Sequence, residues 1–109
     1  MKRLLLTIGA CACLSAHAGT FWDGNKLHSK LNGSIFEQGQ ALGYIMGAAD
    51  AMDSVVVCAP LNATAGQMQD MVKNYLDNYP AVRHLAADSL ISVVLGRVWP
   101  CEKKKGNTL

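Results

Sequence analysis

Thr64-Ala65-Gly66-Gln67-Met68-Gln69-Asp70-Met71-Val72-Lys73-Asn74-Tyr75-Leu76-Asp77-Asn78-Tyr79-Pro80 is the stretch that decides the fold. Thr64 followed three residues later by Gln67 is a T-x-x-Q capping box, in which each side chain satisfies a backbone N–H that a helix start leaves open. Met68, Met71, Val72, Tyr75, Leu76 and Tyr79 then recur at steps of three, one, three, one and three, the apolar stripe of an amphipathic helix. Asp70, Lys73, Asn74 and Asp77 fall between them and are expected to face water. Pro80 ends this helix and suits the first turn of the next.

Working outward toward the C-terminus, apolar residues fill most of Ala81–Val98 and cover more than one face, which predicts a central helix there. Trp99-Pro100-Cys101 closes it. Lys103-Lys104-Lys105-Gly106 reads as part of a basic, solvated tail over 102–109. On the other side, Ala59–Ala63 reads as a loop and the β-branched Val55-Val56-Val57-Cys58 as extended. Ile35 to about Ser54 is expected to be a long helix. Its Gly39, Gly43, Gly47 and Ala51 recur every four residues, so small residues stack on one face where another backbone can come close. Packing inside the molecule is the preferred reading of that face, and a contact between two copies is the alternative. Asn32-Gly33-Ser34 breaks the chain, and a short helix is expected near Lys26–Leu31 after a turn at Phe21–Asn25. The fold class is all-α, a small bundle of about four helices.

Lys2 and Arg3, the apolar run Leu4–Leu14 and the Ala16-His17-Ala18 pattern read as a secretory signal peptide over residues 1–18. Its removal takes Cys11 and Cys13 away and leaves Cys58 and Cys101. An even pair in an exported domain reads as one disulfide, the alternative being two buried free thiols. The expected mature domain, 19–101, is small enough that such a staple matters. The chain has 109 residues and ten Lys+Arg against eight Asp+Glu. Without Lys2 and Arg3 the charges balance, so nothing in the charge points to nucleic acid.

The chemistry on offer is thin. His28 and His84 lie far apart, without the spacing of metal ligands, so no metal and no cofactor is expected. Asp50 and Asp53 share a helix face but read as caps or solvated ends more readily than as an acid–base pair. No nucleophile elbow and no phosphate-binding glycine loop is present. Asn32-Gly33-Ser34 and Asn62-Ala63-Thr64 match the glycosylation tripeptide, which also arises by chance. These features favour a protein that works by binding over an enzyme.

The order of segments resembles the Rap/Tai family of immunity proteins against type VI secretion amidase effectors. The resemblance rests on Phe21-Trp22-Asp23-Gly24-Asn25-Lys26-Leu27, Gly43–Ala51, Cys58-Ala59-Pro60 with Thr64-Ala65-Gly66-Gln67, Tyr75-Leu76, Pro80, Arg83-His84 and Trp99-Pro100-Cys101. Members commonly carry two further cysteines, at places that correspond here to Leu31 and Ala41. Their joint absence fits a first bridge lost as a pair, with Cys58 and Cys101 as the second, and leaves the first helix with one tie fewer. The resemblance implies a helical, usually dimeric periplasmic protein whose partner is a peptidoglycan amidase and which needs no catalysis. The balanced charge suggests no nucleic acid, and since the other apolar run, Ser89–Gly96, is short and bounded by Asp88 and Arg97, no membrane is expected once the signal peptide is gone. Two segments are candidates for contact with the effector. The first is the irregular stretch Ser54–Ala63, with Ser54, Val55, Ala59, Pro60, Leu61 and Asn62. The second is the corner formed by Asn78, Tyr79, Arg83 and His84. Other readings are a small periplasmic stress chaperone or other binding protein, and a cell-wall enzyme using Cys58 and His84.

Overall fold

The computed structural model describes residues 21–102. The segments read as a signal peptide (1–18) and as the Lys103–Gly106 run lie outside them. Four α-helices follow one another: α1 (Gly24–Leu31), α2 (Ile35–Met52), α3 (Ala65–Asn78) and α4 (Ala87–Val98). A single 3-10 turn at Pro80–Val82 precedes α4. Each α-helix packs on the other three. Leu27, Ile45, Leu76, Ile91 and Leu95 are buried at the centre, with Val57 and Val72 beside them. The fold is the small all-α bundle that the periodicity predicts, closed by one disulfide between Cys58 and Cys101.

Helix starts are set by local chemistry. Thr64 and Gln67 form the expected capping box on α3. Ser34 and Glu37 form a second, on α2, that the sequence reading passed over. The first N–H groups of α1 are met differently. Asp23 Oδ1 accepts from Lys26 N at 2.8 Å, while Leu85 O and Arg83 O accept from Gly24 N and Asn25 N at 2.9 and 2.7 Å. Open donors of one helix are thus met by carbonyls some sixty residues away in sequence.

That arrangement explains one departure from expectation. The helix predicted over Ala81–Val98 begins only at Ala87. The carbonyls of Arg83 and Leu85 are engaged by α1, and Ala87 N donates to Trp22 O at 2.9 Å. Residues 83–86 therefore run beside the start of α1 instead of winding into α4. A second departure lies at Val55–Cys58. Residues 54–56 form a turn, in which the Met52 carbonyl accepts from Val55, Val56 and Val57 N–H at 3.0–3.2 Å. Ser54 takes a left-handed φ of 63° to make it. Only Val57 bridges, antiparallel to Pro100.

The glycine stripe of α2 is the third departure. Ala41, Ile45 and Ala49 face the core, and a Cβ placed on Gly39, Gly43 or Gly47 would meet nothing within 4 Å. The small face points away from the bundle, so it does not serve internal packing. Leu31 and Ala41, the places of the missing cysteines, are both buried in the core. The first helix is held to α2 by that packing and by the Trp22 and Tyr44 rings, stacked at 4.6 Å and 10°. Lys30 adds its Nζ 5.3 Å from the Trp22 ring and donates to Gln40 Oε1 at 2.6 Å. Burial pushes the Tyr44 phenol up, the Asp88 carboxylate adds to the rise, and a backbone hydrogen bond from Asp88 works against it. α1 is therefore tethered to α2 without the lost first bridge.

Candidate functional site

The Ser54–Ala63 segment is irregular but firmly held. Val57 is buried and anchors it from below. Cys58 is bonded to Cys101, and Cys58 N donates to Trp99 O at 2.8 Å. Gly96 lets the turn lie flush on α4, since a Cβ there would come 3.3 Å from Val56 Cγ1. At its far end, Ala63 N donates to Pro60 O at 2.9 Å just before the Thr64 cap. On this frame Val55 is 75% exposed, Leu61 is fully exposed, and Ser54, Pro60 and Asn62 also face solvent. Ala59 is half-buried, packed against the core. A loop that shows apolar side chains while its backbone is pinned loses little freedom on binding.

The second candidate divides in two. Arg83 turns back onto the end of α3, where its Nε donates to Leu76 O at 2.7 Å and its guanidinium to Asp77 O at 3.4 Å. It satisfies carbonyls that a helix C-terminus leaves open and is committed to structure. His84 is exposed. Asn78 and Tyr79, by contrast, line a groove of about 560 Å³ between α3 and α4, together with Met71, Tyr75, Val94 and Arg97. The Tyr75 and Tyr79 rings lie 4.8 Å apart in a tilted pair. Arg97 also lines a second groove of about 410 Å³ on the other side of α4, beside Val55, Val56 and Val93. Sequence reasoning passed over Arg97. As a single basic residue in the last turn of an apolar helix, it looks like an ordinary partner for the helix dipole.

Among the described residues, the titratable groups do not converge on a catalytic arrangement. His28 reaches from α1 to α3, its Nε2 2.7 Å from Asp77 Oδ1. Lys73 Nζ lies 2.7 Å from the other carboxylate oxygen. Hydrogen bonds from Lys73 and then from His28 hold the Asp77 carboxyl below its ordinary range. Asp53 caps the end of α2, and Asp50 is exposed one turn earlier. No cluster of three or more His, Cys, Asp and Glu able to hold a metal occurs among the described residues. With Cys58 in the disulfide, no thiolate is available there to be activated by His84.

The fold and its surface define a class, a disulfide-closed helical bundle with a rigid apolar loop. The family described as Rap1a immunity proteins matches residues 23–101. The chain belongs to that family. No curated protein matches it.

Proposed function

We propose that the chain is a periplasmic immunity protein that binds a peptidoglycan amidase effector of type VI secretion and occludes its cleft. Residues 1–18 direct export and are removed. Membership of the Rap1a immunity proteins over residues 23–101 carries this reading. The pinned loop adds a means: Val55 and Leu61 stand out from a backbone anchored by the disulfide, so the segment enters a substrate cleft as a preformed plug. Occlusion needs no reaction by the inhibitor, and the chain acts without catalysis. The chaperone reading is disfavoured because no charged side chain is buried among the described residues, so acid has no buried ion to neutralise.

The test is co-expression in a bacterium with a periplasm-directed amidase encoded beside this chain's gene, scoring lysis. Rescue by the native chain is expected. Leu61→Asp, a change at a side chain with no packing to lose, is expected to abolish rescue while leaving the thermal unfolding curve in place. Failure of the native chain to rescue from any neighbouring amidase would overturn the reading.

A further inference from the structure

Arg97 is the one side chain common to two grooves, one on either side of the C-terminal half of α4. The first is floored by Val94 and flanked by Tyr79 (55% exposed) and Val98 (49% exposed). The second is flanked by Val55 and Val93. Neither groove has an Asp or Glu in its lining. Arg97 forms no salt bridge among the described residues, whose two ion pairs both centre on Asp77. The surface thus has an apolar left and right, an aromatic pair and one uncompensated guanidinium in the middle. Arg and Tyr amid apolar surroundings are the residue types that carry most of the energy in protein interfaces. An occupant that leaves this guanidinium without an anion pays for its desolvation, while one that brings a carboxylate gains a bidentate, charge-assisted pair.

We propose that Arg97 anchors a protein-docking surface at the C-terminal half of α4, and that the partner segment seated there is apolar and carries a carboxylate. This rests on the reading that the chain binds an effector protein, and gives that partner its chemistry. The surface continues from the Val55 loop, so one partner reaches both. A second copy of this chain is a poor occupant. A two-fold contact centred on Arg97 would set one guanidinium against its symmetry mate.

The experiment follows backbone, methyl and Arg97 Nε–H resonances of the exported chain during titration with the peptide acetyl-Leu-Glu-Leu-Tyr-amide. The same peptide with Gln in place of Glu is the control. Val55, Val93, Val94, Val98 and Arg97 are expected to respond to the Glu peptide, with the Gln peptide weaker by about tenfold, as for loss of one charge-assisted contact. Arg97→Ala is expected to erase the difference between the peptides, and Arg97→Lys to restore part of it. Equal responses to both peptides, shifts confined to another face, or a change of oligomeric state alone on Arg97→Glu would each overturn the proposal. The co-expression assay separates it from the broader reading. If Leu61→Asp abolishes rescue and Arg97→Glu does not, the Arg97 surface falls and the effector reading stands. If the native chain rescues from no amidase while the Glu peptide still binds at Arg97, the effector reading falls alone.

Discussion

Gly24 shows how much can turn on a missing Cβ. An added Cβ would come 2.5 Å from Leu90 Cδ1 and 2.8 Å from Arg83 O, and the latter, as backbone, cannot easily move. Gly24→Ala is expected to cost about 1–3 kcal/mol, as overpacking does. Chemical denaturation checks it, and an unchanged midpoint would show that α1 and the Arg83–Leu85 segment are not in register. Asp77 makes a different kind of statement. Its folded pKa is depressed, so the stabilisation from Lys73 and His28 is present above the ordinary aspartate value of about 3.9 and is lost as pH falls through the lower folded value. Asp77→Asn is therefore expected to lower Tm at neutral pH, with the gap to the native chain closing at the acid end of a pH series. The carboxylate is exposed, so the effect is modest and shrinks further with added salt. Of these contacts, only the Lys73–Asp77 pair, one helical turn apart, is visible in sequence. Nothing near Gly24 names Arg83 or Leu90, and the other partner of Asp77, His28, is 49 positions away.

At the scale of the element, α3 was readable and α2 was readable only in part. In α3 the stripe and the polar positions separate cleanly, and Met68, Val72 and Leu76 are the buried side as the pattern requires. In α2 small and apolar residues run around most of the helix, so periodicity gives a helix without saying which face is inward. Packing against α1, α3 and α4 selects Ala41, Ile45 and Ala49, which leaves the glycines outside. Because those sites are open, Gly39→Ala, Gly43→Ala and Gly47→Ala are each expected to stabilise the folded chain by about 0.5–1 kcal/mol through helix propensity. Urea unfolding of the triple variant tests this, and a loss of stability would mean that another surface packs on the stripe. The caps follow their own local rule. Thr64→Ala is expected to cost about 1 kcal/mol, read from the same kind of curve. The start of α4 obeys no local rule. Pro80 suits a helix start, yet the chain makes only a 3-10 turn and a further turn through Leu85 before α4 begins, with the carbonyls of Arg83 and Leu85 accepting from α1.

For the molecule as a whole, the disulfide decides how the candidate loop behaves. Cys58 and Cys101 are 43 positions apart, and closing a loop of that length is worth about 4 kcal/mol in the chain-entropy account. Replacing both by Ser is expected to lower stability by up to that amount. It is also expected to release the backbone of residues 54–60, seen as faster exchange of the backbone amide at position 58, which in the native chain donates to Trp99 O. Unchanged exchange there would show that Val57 and its bridge to Pro100 hold the loop alone. By itself the amino-acid order determined the helical class, the α3 boundaries, the cysteine pair and the resemblance. Each of these is written in short-range periodicity, in capping residues or in composition. Tertiary structure alone decided that the glycine stripe faces outward, that Arg83 is spent on the end of α3, and that Arg97 stands between two grooves. Those facts depend on which surfaces are left over once four helices have buried their apolar sides together, and no local spacing encodes what remains uncovered.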